Sequence, residues 1–218
     1  MALRYDTLLS AARAAHLDIA GAFHPDPSQG CPEGTGTLVL FAPLEPGFWQ
    51  VFTGSAEYRD GGSDPLDRWS ARVIGALAQD HHAKALFPFG GPPYQPFLAW
   101  ARASGRAWPS PVGPLVHDVA GLFISYRGAL ALRERLDLPA PPKASPCASC
   151  AGQPCRSACS IAALTPTGYD VAACRAYIAS TAGRDCLEAG CVVRRACPVS
   201  ASHGRLPEQS AFHMRAFQ

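Results

Sequence analysis

Leu8, Leu9, Ala12 and Ala15 recur at helical spacing in the opening stretch TLLSAARAA, which predicts a helix over 7–15. The pattern then changes. DIAGAF (18–23) and TGTLVLFAP (35–43) are short apolar runs bounded by polar residues, Gly and Pro, and they predict strands. DPLDRWSARVIGALAQ (64–79) returns to the helical period. Leu66, Trp69, Val73, Ile74 and Leu77 share one face, Pro65 suits the first turn, and Asp64 stands where a capping side chain is expected. KALFPF (84–89) predicts a short strand and PPYQPFLAWARAS (92–104) a helix opened by prolines. LVHDVAGLFISYRGALAL (115–132) predicts two strands around a turn near Val119–Gly121. At the far end, GRLPEQSAFHMRAF predicts a short helix from Pro207 that packs through Phe212, Met214 and Phe217. Helix and strand interleave over 1–140, so the expected fold class is α+β, of the α/β type, with a sheet covered by helices.

Composition supports a packed core: 48% of residues are hydrophobic and 17% charged. The net charge of +2 is spread over both signs, which argues against a nucleic-acid partner, since a dedicated binder shows a basic face. No window approaches the length of apolar sequence that spans a bilayer, and MALRYDTLLSAARAAHLDIAG lacks the apolar segment and cleavage site of a secretory leader. The expected location is the cytoplasm, where thiols stay reduced and clustered cysteines point to metal before disulfides.

Cysteine placement divides the chain. Cys31 stands alone in a Gly/Pro loop and reads as a spare thiol; the other eight cysteines fall between 147 and 197. Residues 1–140 therefore read as the sheet-and-helix domain, with Trp69 and Trp108 both inside it. Residues 143–200 read as a cysteine module entered through the Pro-rich joint LPAPPKASPC, and 201–218 as a tail. The thiol order is Cys147-x2-Cys150-x4-Cys155-x3-Cys159, then Cys174, then Cys186-x4-Cys191-x5-Cys197-Pro198. Two [4Fe–4S] clusters, two zinc sites and four disulfides would each use all eight, so the count does not choose between them. Spacing favours iron–sulfur. Only one C-x2-C hook is present, where zinc sites favour paired hooks. Cys155 and Cys159 are spaced to lie one helical turn apart, as the bacterial ferredoxin run requires when its fourth cysteine crosses to the other cluster. The run departs from that pattern at Gln153-Pro154, which widens one gap, and at Ser160, where proline usually follows the fourth cysteine.

Four cysteines, an isolated one in YDVAACRAYI, and three ending in Cys-Pro form a plan that resembles the ferredoxin-like domain of epoxyqueuosine reductases. Upstream, SGRAWPSPVGPLVHDVAGLFISYRGALALRERLDLP is similar to the segment that precedes the first cluster in those enzymes. VHDVAGLFISYRGALAL also resembles the cobalamin-processing (decyanase) proteins, and LLSAARAAHLDIAGAF fits the family's first helix and strand. The likeness is colinear over most of 5–200. It implies a nitroreductase-like domain that holds cobalamin, followed by a small ferredoxin-like module that feeds it electrons. It also implies one cluster on Cys147, Cys150, Cys155 and Cys197 and another on Cys159, Cys174, Cys186 and Cys191. Two departures are plain. FPFGGPPYQPF stands where those reductases carry an aspartate acid, with no carboxylate between Asp80 and Asp118. The helical repeats that grip tRNA are missing from the 218 residues, so queuosine chemistry and a tRNA partner are not expected.

Four residues outside the cysteine module are candidate cofactor contacts. Gly90 and Gly91, in FPFGGPP, suit close backbone approach to a flat ligand such as a corrin or flavin, or form a tight strand-to-helix turn. His117, beside Asp118, lines a cofactor face or ligates cobalt, or is an exposed turn residue. Arg127 meets a cofactor carboxamide or phosphate, or pairs with Glu134 or Asp137. His81 and His82 follow a helix end, where they complement its dipole. Two function classes result. One is a redox protein whose clusters relay single electrons to a redox partner protein or to a corrinoid, with flavin the second choice, a class that extends to a corrinoid- or flavin-linked oxidoreductase. The other is a cofactor-binding or delivery module with structural zinc or a single structural cluster.

Overall fold

The computed structural model describes residues 3–218, a mixed α and β chain whose sheets are all antiparallel. Its strands are β1 (Leu17–Phe23), β2 (Thr37–Pro43), β3 (Lys84–Leu86), β4 (Ala107–Pro109), β5 (Leu115–His117), β6 (Gly128–Leu132), β7 (Leu164–Thr165) and β8 (Gly168–Tyr169). Its α-helices are α1 (Tyr5–Ala14), α2 (Phe48–Thr53), α3 (Ala56–Arg59), α4 (Pro65–Asp80), α5 (Phe97–Ala103), α6 (Val171–Ile178), α7 (Arg184–Ala189), α8 (Val192–Arg195), α9 (Pro198–Ala201) and α10 (Pro207–Phe217). None of these is long and apolar enough to cross a membrane.

The chain folds into two compact units, and the division is not the linear one expected. The first takes the chain up to Arg106 and again Ser125–Pro141; the second takes Ala107–Ile124 and Pro142–Gln218. Ala107–Ile124 therefore belongs with the cysteines, and so does the 201–218 tail.

In the first unit the sheet order is β1-β2-β6-β3. Every residue of β2 and of β6 is buried. Their continuous apolar runs suit inner strands covered on both faces. A bulge between Ile19 and Gly21 re-aims β1. Gly21 is required there by close approach, because a Cβ would lie 2.5 Å from Ser104 Oγ. Helix α4 packs Leu66, Trp69, Ile74 and Leu77 inward, against β3 and β6. Asp64 does not cap α4 with its side chain. It sits in the left-handed region (φ 47°), and its carbonyl accepts the N–H groups of Asp67 and Arg68. The helix ends in a Schellman turn: His82 is left-handed (φ 50°), its N–H bonds Gln79 O, and Ala83 N–H bonds Ala78 O.

Two short helices, α2 and α3, fall where no pattern announced them. Phe48 and Phe52 of α2 meet Trp69 edge-on, at 5.2 and 6.3 Å between ring centroids. Six residues between Gly47 and Gly54 are too few to show a period. β3 stops at Leu86 rather than 89, just short of Pro88, which has no N–H to give a ladder. α5 begins at Phe97 rather than 92, because Pro93 and Pro96 disfavour helical backbone at the residues before them.

The expected pair of strands over 115–132 is present but does not form a hairpin. β5 pairs with β4, whereas β6 pairs with β2 and β3 in the other unit. The turn after β5 closes instead on Gly121, through a bridge to His117. Gly121 has φ 57°, and a Cβ there would lie 2.4 Å from Ser200 N, so this position needs glycine on both counts.

Candidate metal centre

The second unit presents its thiols from several short pieces of chain. Cys147 lies in a 3-10 turn (Pro146–Ala148), where Ser145 Oγ accepts its N–H at 3.2 Å. Cys155 lies in another (Pro154–Arg156). The widened gap between Cys150 and Cys155 is taken up by Gln153, which adopts a left-handed conformation (φ 35°) and turns the chain back; Arg156 Nε donates to its side chain at 2.5 Å. Cys174 is carried by α6, whose first turn is capped by Asp170. Cys186 is carried by α7, and Cys191 and Cys197 precede α8 and α9. The expected shared helix between Cys155 and Cys159 is absent. The 3-10 turn ends at Arg156 and Cys159 lies in irregular chain, held by Ala162 N–H to its carbonyl (3.1 Å) and Ala163 N–H to its Sγ (3.4 Å).

These segments divide the thiols between two cavities. Cys147, Cys150, Cys155 and Cys197 line a cavity of ≈ 460 Å³, walled also by Val116 and Leu122 from the segment after β4. Cys159, Cys174, Cys186 and Cys191 line a second, of only ≈ 20 Å³, closed by apolar side chains that include Ile178 and Met214. The division follows the same lines as the two ligand sets that the resemblance implies. Nothing in the local sequence marks Val116 or Leu122 as cavity walls, because they reach the thiols only through tertiary packing.

The thiols sense burial and one another. Burial pushes Cys147 up, with Ser145 opposing it and the charges of Cys197 and Cys150 adding to it. Burial also raises Cys155, with Cys147, Cys197 and Cys150 adding to the shift. Cys186 is raised by burial and partly relieved by the N–H of Val192. Tyr169 is pushed above the usual phenol range by burial first and then by its hydrogen bond to Cys174. Thiols kept protonated in this way release protons when a metal binds. All nine cysteines are free, and Cys31, in the other unit, is pushed up to about 11 by burial and by Asp26.

Both linings are made of soft donors: four thiols each, with no carboxylate or imidazole. Such a set suits zinc, copper(I) or an iron–sulfur cluster. Among the described residues, no three His, Cys, Asp or Glu side chains are grouped so as to hold a single metal ion. Tetrahedral zinc, with Zn–S bonds of about 2.3 Å, would draw its sulfurs to within about 4 Å of one another. The ≈ 460 Å³ inside the first set has room for a larger polynuclear body, whereas the second set closes on ≈ 20 Å³ and would have to open to take one.

The other candidates are placed apart. Gly90, Gly91 and Arg127 belong to the first unit and His117 to the second. Gly90 is exposed at φ 79°, with open space beside it. Arg127 is buried. Its partners are Asp67 and Ser70 Oγ (3.1 Å) on α4, in place of Glu134 or Asp137. Burial lowers its pKa, and the Asp67 charge opposes that. His117 is also buried, and its Nδ1 faces the N–H groups of Val119 and Ala120 at 3.2 Å, closing the turn. Of the two arginines between cluster-spaced cysteines, Arg195 bonds Asp185 and Gly190 O, while Arg194 is exposed.

No family model, curated protein or solved structure matches this chain.

Proposed function

We propose that this chain is an iron–sulfur redox protein that holds two [4Fe–4S] clusters, one on Cys147, Cys150, Cys155 and Cys197 and one on Cys159, Cys174, Cys186 and Cys191. The observation that carries this reading is the division of eight thiols, four and four, between two cavities with no carboxylate or imidazole in either lining. When bound, such clusters accept and release single electrons. The chain's own part is to hold the sulfurs, exclude water and set the charge they tolerate. Ala163 N–H donates to Cys159 Sγ, Val192 N–H to Cys186 and the Tyr169 hydroxyl to Cys174. Hydrogen bonds of this kind favour extra negative charge on the sulfurs and raise the reduction potential. In the first set such donors are Ser145 at Cys147 and the N–H of Cys155 at its own sulfur.

The acceptor is a corrinoid-type cofactor or a redox partner protein, with flavin second. That choice, the nitroreductase-like and ferredoxin-like assignments, and a cytoplasmic location rest on the sequence reading alone. Anaerobic purification tests the centre itself. The protein is expected to be brown, with a broad absorbance that bleaches on dithionite, and to hold about eight iron atoms with matching sulfide. Colourless anaerobic protein with stoichiometric zinc would overturn the reading in favour of a structural metal module.

A further inference from the structure

Three of the exposed large apolar side chains fall on adjoining segments of the second unit: Ile161, Tyr169 and Val171, which are 37%, 42% and 38% exposed. The β7–β8 hairpin brings these segments side by side, since Leu164 pairs with Tyr169 and Asp170 N–H bonds Ala163 O at 2.8 Å. Singly, such side chains need no explanation. Here they reach through to the second thiol set: Ile161 lines that cavity, and the Tyr169 hydroxyl bonds Cys174. A body seated on them is one side chain away from the thiols. The surround is positive. Residues 142–218 carry eight Lys and Arg against four Asp and Glu. Two of those acids are taken up within the unit, Asp185 by Arg195 and Glu188 by Arg184. A third, Asp170 beside the patch, caps α6 by accepting Ala173 N–H at 2.9 Å. Arg175 lies over Phe217, which stacks on Tyr169, and the charge of Arg194 acts on Tyr169. Both arginines are exposed. Aromatic residues and arginine are what protein interfaces concentrate, and a positive field steers an acidic partner.

We propose that Ile161, Tyr169 and Val171, flanked by Arg175 and Arg194, form the docking face for an acidic one-electron carrier protein. The docking stands on exposure and charge; the exchange of electrons rests on the cluster reading above. In that exchange one electron passes between the carrier and the second thiol set's centre. One is oxidised as the other is reduced, and no bond is made or broken.

The probe is a plant-type [2Fe–2S] ferredoxin, a small acidic one-electron protein, with the basic cytochrome c as its opposite. Surface plasmon resonance of anaerobic full-length protein should show saturable ferredoxin binding at an ionic strength of about 0.01 M. That binding should be lost at about 1 M, as the screening length falls from about 30 Å to about 3 Å. Cytochrome c should not bind. Arg194→Glu and Val171→Asp should each raise the Kd for ferredoxin about tenfold. Val171 is the first residue of α6, where an acidic side chain suits the helix dipole, so Val171→Asp spares the fold. Arg194→Lys keeps the charge and should bind as wild type does. Lys143→Glu, an exposed change ahead of the turn that carries Cys147 in the first set, should also leave binding as it is. Absence of ferredoxin binding, equal binding of cytochrome c, binding unchanged in Arg194→Glu and Val171→Asp, or a larger loss in Lys143→Glu overturns the face. Iron-free protein that still binds in this salt- and variant-dependent way defeats the cluster reading and leaves the face standing. Iron-loaded protein that binds no ferredoxin does the reverse. Iron-loaded protein should also be reduced by reduced ferredoxin, and more slowly in Arg194→Glu; binding without reduction overturns the electron exchange.

Discussion

Glu57 and Arg127 are both buried in the first unit, and each is held by a partner well separated in the chain. Glu57 accepts from Arg72 through both carboxylate oxygens, one of them at 3.1 Å. Arg72 holds the Glu57 carboxyl at about 2, below its ordinary 4.5, against the opposing effect of burial. The unfolded chain therefore takes up this proton first as pH falls. The pair's stabilisation is complete above pH 4.5 and is lost as pH falls towards 2. Because Arg72 is well exposed, the expected size is on the order of 1 kcal/mol. Urea unfolding measured above and below that window should show wild type losing this increment, and Glu57→Gln should lack that part of the pH dependence. Neither pairing was legible beforehand: the residues lie on different elements, and the sequence carries no signal that joins α3 to α4 or Arg127 to Asp67.

At the scale of elements, α10 shows what a correctly expected helix can still conceal. Its span and its packing through Met214 and Phe217 follow from apolar spacing, but its role in closing the second cavity does not. Gln209, Ser210 and Ala211 are buried, Met214 lines the cavity, and Gly190 leaves room for Ser210, since a Cβ there would come within 2.5 Å of its Cβ. The helix is fastened at its far end. Phe217 stacks on Tyr169 with centroids 5.9 Å apart, Arg175 lies 5.1 Å from the Phe217 ring, and Arg175 Nε donates to the Phe217 carbonyl at 2.9 Å. The two ring contacts together contribute about 1–2 kcal/mol, so losing them should raise local opening about tenfold. On the proposed cluster reading, Phe217→Ala should therefore hasten oxygen damage to the second cluster and spare the first, as followed by electron paramagnetic resonance of reduced samples after timed exposure to air. Equal loss from both clusters would show that α10 does not shelter the second set.

The whole molecule changes the meaning of a reporter. Read along the chain, Trp69 and Trp108 belong together; in the fold Trp69 lies in the first unit and Trp108 in the second, among residues that pack against Cys155 and Cys197. On the same proposed reading, Cys147→Ser should remove one cluster and Cys159→Ser the other, and each should loosen the second unit, because metal binding and folding are coupled. Iron analysis and fluorescence should then show Trp108 perturbed in both variants and Trp69 unchanged, with Cys31→Ser changing neither. Loss of the same cluster in both cysteine variants would refute the four-and-four assignment. The sequence by itself determined the local features of this protein: β1, β2, α1, α4 and α10, whose periods are long enough to read, and a thiol count and order suited to two four-thiolate sites. These depend on residues close together in the chain. Tertiary structure alone decided the rest. It decided that β5 and β6 part into different units, that Arg127 serves α4, and that Val116 and Leu122 wall a cavity begun by Cys147. Such contacts join segments whose separation costs chain entropy and whose pairing is selected by burial of the whole, so no short window of sequence contains them.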